Sequence, residues 1–337
     1  MARPVAVVTG AARGIGLETA RRLSATHRVA LLDLDGPAVS RAAAEIGDAV
    51  AFGCDITDAE SVDAAIEGVV AACGAIDVCI SNAGIATAGA LRHLDPDVVA
   101  AQLNVNLIGN WRLIHACLPH LVARRGYVLA VASVAAIVPP PGLGAYAASK
   151  AGLEQLLDVL RLEVRHLGVD VGVAYFSWID TEMVRGAERQ HPGFAAMREG
   201  LRGPAGKTLP VARAADAIAR GVERRSRRVV APGFVGALYR LRGLLPELLD
   251  REAAKAGPEA DRYTAELVAE RGAFAAGLRP GELGSEAAAR SAGRSEAAAR
   301  SAGRGEAAAP PGEPGPSTAT AAPPGAAGPP PSTAHRP

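Results

Sequence analysis

Short apolar runs alternate with longer stretches of helical period along most of this chain. Residues 5–8 (VAVV), 29–32 (VALL), 49–53 (AVAFG), 78–80 (VCI), 127–132 (YVLAVA), 169–175 (VDVGVAY) and 228–231 (RVVA) read as strands, being brief, rich in β-branched residues and bounded by turn formers. Between them, helical patterns run to Leu23 and over 37–46, 59–73, 97–124, 145–167 and 212–225. Parallel strands need crossover connections, so strands separated by such helices predict an α/β fold, a parallel sheet wound on both faces.

The pattern breaks in three places. Asn104, Asn106, Gly109 and Asn110 cluster inside 97–124, and all are poor helix formers. Something interrupts the helix there: an asparagine that leaves the hydrogen-bond ladder to hold a water, or a few exposed polar residues. Residues 184–207 lack a clear period and are rich in Gly and Pro, which reads as a flap over a site or a surface loop. Residues 126–149 carry no charge, long enough to suggest a membrane span, but Pro139, Pro140 and Pro141 would break such a helix; strand, loop and helix is the better parse.

Composition then sets the boundaries. Residues 1–250 form a single domain and 251–278 a helical extension. Over 279–337 the sequence SEAAARSAGR occurs at 285–294 and again at 295–304 before giving way to Pro, Gly and Ala. That tail is expected to be disordered, because it has too little apolar surface to offset its ordering entropy. The 36 Lys and Arg are balanced by 35 Asp and Glu, which removes the electrostatic reason to expect nucleic acid. An arginine-rich stretch over 220–242, interleaved with Phe234, Leu238, Tyr239 and Leu241, is read as a subunit interface or solvated face in preference to a membrane-contacting one. Cys54, Cys73, Cys79 and Cys117 lack CxxC spacing and are read as reduced core residues, with no metal site. A strand that begins at residue 5 leaves no space for a signal peptide, so a cytoplasmic location is expected.

Candidate chemistry lies at the strand ends. After the first strand come Gly10, Arg13, Gly14, Ile15 and Gly16, then a helix. Strand, glycine turn and helix start is the context of a dinucleotide fingerprint, in which the backbone approaches a pyrophosphate at a helix N-terminus; the alternative is a simple tight turn. Asp33 ends the second strand, where an acid accepts hydrogen bonds from the adenosine ribose and repels a 2′-phosphate. NAD is therefore preferred over NADP, with Arg13 the one opposing residue. Asp55, followed by Ile56, either caps the next helix or lies beside the adenine. Asn82, Ala83 and Gly84 close the fourth strand with small side chains suited to ligand contact. Tyr146 and Lys150 are four apart, hence on one helix face, and an ammonium there is expected to draw the phenol pKa down from about 10. Ser133 ends the apolar run thirteen residues before the tyrosine. The alternative for the pair is a half-buried aromatic beside a solvated cation.

Taken together, residues 9–16, Asp55, Ser81 to Gly84, Asn106, Ser133, Tyr146 and Lys150 resemble the short-chain dehydrogenase/reductase family over about residues 4–250. The resemblance implies a Rossmann-type, seven-stranded sheet in a single domain that binds NAD(P) and substrate together, as a homodimer or homotetramer. It implies roles as well: Tyr146 exchanging a proton with the substrate oxygen, Lys150 lowering its pKa and holding the nicotinamide ribose, Ser133 polarising the carbonyl. Asn106 would hold a water of a proton relay, Asn82 would support the cofactor, and Ile179 and Thr181 would reach the carboxamide. The implied reaction is hydride transfer between NAD(H) and a secondary alcohol or ketone. A hydrophobic substrate is expected from Ile85, Val134, Val138, Pro139, Pro140, Pro141, Trp178, Met183 and Val184. The chain departs from the family in carrying Phe176 and Ser177 where Pro-Gly is usual, and Ser81 where Asn is usual. An epimerase or dehydratase on the same scaffold, or a nucleotide-binding scaffold protein without catalysis, are the alternatives.

Overall fold

Seven strands, β1 (Val5–Thr9), β2 (Arg28–Asp33), β3 (Ala49–Gly53), β4 (Val78–Ser81), β5 (Tyr127–Val131), β6 (Asp170–Phe176) and β7 (Arg228–Ala231), join in one parallel sheet of order β3-β2-β1-β4-β5-β6-β7 in the computed structural model. It describes residues 3–190, 198, 200–201 and 203–271. The central strands are continuous apolar runs because both faces are covered: Val5 and Val7 point into one layer, Ala6 and Val8 into the other. Helices α3 (Ala59–Cys73), α5 (Asn110–Arg124) and α6 (Gly144–Val164) pack on the first face. Helices α1 (Gly14–Leu23) and α2 (Gly36–Ile46) pack on the second, with the helix Val211–Glu223. The expected doubly wound α/β architecture is what forms. Winding outward from β1 and β4 in both directions places a crevice at their carboxyl ends, where ligands of such sheets bind.

The break predicted near Asn104 is a π-helical turn, Asn104–Gly109, between α4 (Pro96–Leu103) and α5. The aperiodic stretch 184–207 differs from expectation at its start, which lies in α7 (Glu182–Gln190). Its charges pair along the helix, Glu182 with Arg185 at 3.5 Å and with Arg189, while Met183, Val184 and Ala187 share the face that lines the cleft, an apolar set too short for a periodicity to register. Most of the remaining stretch, like the repeat-bearing tail, lies outside the described residues.

Four of the seven arginines over 220–242 pair within the fold: Arg225 with Asp170 at 3.2 Å, Arg227 and Arg228 with Asp158 at 3.2 and 3.8 Å, and Arg242 with buried Glu154. Cys54, Cys79 and Cys117 are buried and Cys73 half-buried, all unpaired. Among the described residues no helix is long and apolar enough to cross a membrane.

Candidate active site

The carboxyl ends of β1, β4, β5 and β6 open on a cleft of about 1200 Å3. Gly10, Arg13, Gly14, Ile15, Asp33, Asp55, Ile56, Asn82, Ala83, Gly84, Ser133, Tyr146, Lys150, Ile179 and Thr181 all line it. Gly16 and Asn106 stand behind its wall.

The turn after β1 is shaped by glycine. Gly10 has φ +62°, a left-handed conformation that side chains disfavour, and a Cβ on Gly16 would lie 2.1 Å from the Gly10 carbonyl oxygen. Helix α1 therefore sits directly on the turn. Helices α2, α3 and α4 each begin with a capping aspartate, Asp35, Asp58 and Asp95. Helix α1 begins at Arg13 with no side-chain cap and no acid in its first turn. Its N-terminal N–H groups, with their partial positive charge, suit a phosphate. A glycine cradle that a Cβ would fill, at an uncapped helix start, fits a dinucleotide.

Asp33 closes this cradle from the β2 side. Its carboxylate accepts from Ala12 N at 2.9 Å and Asp35 N at 3.1 Å, and each oxygen retains a lone pair toward the cleft it lines. Of the two readings of Asp55, capping does not hold: Asp58 caps α3, while Asp55 accepts from Thr57 N and Oγ1 at 2.8 and 2.7 Å at the cleft wall. Asn82 donates to Thr9 O at 2.9 Å, and Thr9 Oγ1 in turn accepts from Asn82 N and Ala83 N at 3.0 and 3.1 Å, so β1 and β4 are stitched together where the cleft opens. In the sequence Thr9 is only the first residue of the 9–16 turn, with no role of its own; a hydroxyl at a strand's end before a glycine turn is the available signal. Asn110 was likewise seen only as a helix breaker. Buried, it accepts from Ser81 Oγ and donates to Ala83 O at 3.0 Å, tying the Ser81 departure into the core.

Ser133, at the end of β5, caps a short 3-10 turn (Val134–Ala136) through Ala135 N at 3.1 Å, and its hydroxyl also hydrogen-bonds the Tyr146 phenol. Lys150 is 4% exposed and donates from Nζ to Val131 O at 2.9 Å. The capping turn carries the chain away from the cleft, so Val134 and Val138 pack on the core instead. Neither they, the three prolines nor Trp178 line the cleft; Ile85, Met183 and Val184 do. Phe176 is buried at its wall, at the position where the family usually has proline.

One expectation is corrected. Burial raises the Tyr146 phenol above its ordinary value, and the hydrogen bond from Ser133 opposes this only in part. The lysine does not reverse it, because Nζ is turned to Val131 O and lies 5.8 Å from the ring centroid. Asn106 Oδ1 accepts from Ile85 N at 2.8 Å, and its Nδ2 donates to Ile85 O at 2.8 Å and Ser149 Oγ at 3.0 Å. Both amide hydrogens are spent on protein, so the side chain fixes the Ile85 peptide at the cleft.

Burial lowers Lys150 to about 8 from 10.5. The unfolded chain binds more protons than the folded one between these values, so stability rises with pH through that window, and the cost of the buried ammonium is fully present below it. The difference is worth roughly 3 kcal/mol, reduced by about 1 kcal/mol for the hydrogen bond to Val131 O. Lys150→Met is expected to raise the melting temperature of the cofactor-free protein at neutral pH, with the gain gone near pH 10.5. Thermal melts at the two pH values check this.

The signature described as short chain dehydrogenase matches residues 4–192, and the chain belongs to that family. It is similar to "Probable oxidoreductase EphD" of Mycobacterium tuberculosis (strain ATCC 25618 / H37Rv), 34% identical over 256 residues, 72% of this chain and 43% of that one; the chain thus spans less than half the length of this relative. It is 32% identical over 200 residues to a trans-4-hydroxycyclohexanecarboxylate dehydrogenase of Sinomonas cyclohexanicum, covering 56% of this chain and 77% of the relative. Among solved structures, a 3-ketoacyl-(acyl-carrier-protein) reductase of Brucella melitensis complexed with NADH superposes with a TM-score of 0.62 at 25% identity, over 68% of this chain and 96% of that one.

Proposed function

We propose that the chain is an NAD(H)-dependent oxidoreductase that interconverts a hydrophobic secondary alcohol and its ketone, with Tyr146 exchanging the proton. The observation that carries this reading is the convergence of Ser133, Tyr146 and Lys150 in the same cleft as the glycine turn and Asp33. When bound, a nicotinamide supplies or accepts the hydride. The turn from Gly10 to Gly16 and the start of α1 hold the pyrophosphate, and Asp33 receives the adenosine ribose hydroxyls. A phenol raised by burial is protonated at neutral pH, so Tyr146 is ready to donate to a ketone oxygen in the reductive direction. Ser133, already hydrogen-bonded to that phenol, orients the same oxygen. Lys150, charged below about 8, stands on the same cleft wall, where it would hold the nicotinamide ribose. The oxidative direction needs the phenol deprotonated, so its rate rises with pH. Ile85, Ala86, Ala88, Val105, Met183 and Val184 at the cleft favour an apolar substrate, in keeping with the alicyclic alcohol named for the Sinomonas relative.

The reading is tested by following NADH or NADPH absorbance with a panel of alicyclic and lipid-like alcohols and ketones, using Tyr146→Phe as the blank. No redox change with any of them removes it, and product formation without net redox change favours an epimerase or dehydratase. Asp33 makes a second prediction. Its charge opposes a 2′-phosphate at close range, an effect of about 1–4 kcal/mol across effective dielectrics of water to protein surface. Asp33→Ser is expected to reduce the NAD over NADP preference in kcat/KM at least ~10-fold; an unchanged ratio assigns the preference elsewhere.

A further inference from the structure

The family signature ends at residue 192, yet the cleft's neighbourhood is completed by a much later segment, the C-terminal helix Leu245–Arg271. Its base is anchored where Arg242 reaches the buried carboxylate of Glu154 and Leu245 enters the core. Farther along, one face meets two segments beside the catalytic tyrosine. Thr264, 4% exposed, accepts from Ala90 N at 2.8 Å through Oγ1, and its methyl packs on Gly89. Asp261 pairs with Arg92 at 2.5 Å and His93 at 3.0 Å. Ala260 packs against Gly142. The two segments thus gripped are themselves joined, Gly89 N donating to Gly142 O at 2.7 Å with Gly89 bridged to Leu143. One runs back through Ala88 and Ala86 to Ile85 at the cleft; the other leads into α6 and Tyr146.

We propose that Thr264 and Asp261 are positioning residues: the C-terminal helix holds segments 85–93 and 142–146 together, and so sets the apolar wall facing Tyr146. The inference rests on the oxidoreductase reading for the term substrate, but its mechanical part stands apart from it. Thr264→Val keeps shape and removes the acceptor; Asp261→Asn keeps shape and removes the charge.

In the full-length protein, amide hydrogen exchange is the first measurement. Thr264→Val should speed exchange at Ala90, which loses its acceptor, and at Gly89, whose bond to Gly142 the mutated group does not touch, each by ~10-fold or more, with β1 and α1 unchanged. Asp261→Asn should speed exchange across 89–93, and Thr264→Ser should restore wild-type rates. Faster exchange at Ala90 alone, or a uniform rise across the domain, overturns the proposal. With an alcohol that turns over, KM for that alcohol should rise ~10-fold while NAD affinity stays within ~2-fold; equal effects on both also overturn it. If no alcohol is oxidised, the function proposal falls while hydrogen exchange still decides this one.

Discussion

Replacing Tyr146 with phenylalanine is expected to lower kcat about 1000-fold, within the range that a single positioned acid or base contributes, and to leave NAD affinity within about 2-fold. The substitution removes one oxygen from a half-buried ring and leaves the ring to pack as before. Lys150 keeps its hydrogen bond to Val131 O, so the cofactor side of the cleft is undisturbed. What is lost is the hydroxyl that hydrogen-bonds Ser133 and is protonated at neutral pH. Steady-state kinetics with a turning-over alcohol and a fluorescence titration of NADH check the two halves. A kcat within 10-fold of wild type would assign the proton transfer to another group.

Gly16→Ala is expected to raise the NAD dissociation constant by about 100-fold or more, because binding depends on a turn that the new methyl forces open. The added carbon would lie 2.1 Å from Gly10 O and 2.7 Å from Gly10 C, both backbone atoms, and 2.8 Å from Asn82 Nδ2. No rotamer change relieves a backbone overlap, so α1 has to move off the turn. Overpacking of this kind costs about 1–3 kcal/mol, a fall of roughly 2–10 °C in melting temperature for a domain of this size. Gly233→Ala is the control, since nothing lies within 4 Å of a Cβ there and its φ is −58°. Calorimetric titration with NAD and scanning calorimetry make the comparison; unchanged NAD affinity in Gly16→Ala would dissociate the glycine turn from cofactor binding.

Much of the fold and of the site could be read along the chain because the information is local. A parallel sheet covered on both faces needs strands that are apolar throughout, and that pattern is visible residue by residue. A phosphate cradle needs glycines in one turn, and a helical pair of tyrosine and lysine needs a spacing of four. Less legible was anything whose meaning depends on what faces it. Asp55 reads in sequence as a cap or as an adenine neighbour, and the cap supplied by Asp58 decides against the first. Helix α7 has only Met183, Val184 and Ala187 as its apolar face, and the charged remainder resembles an unstructured polar stretch.

The chain by itself determined the doubly wound sheet, the glycine turn at the first helix and the trio Ser133, Tyr146 and Lys150, because each is written in residue type and short-range spacing. The tertiary structure alone decided which way burial moves Tyr146 and Lys150, and the walls around them. Desolvation depends on every atom packed nearby, which is why the phenol is raised where proximity to an ammonium predicted the reverse. The same holds for Asn106, whose amide is taken up by Ile85, and for Thr264, which meets Ala90 from 174 residues away.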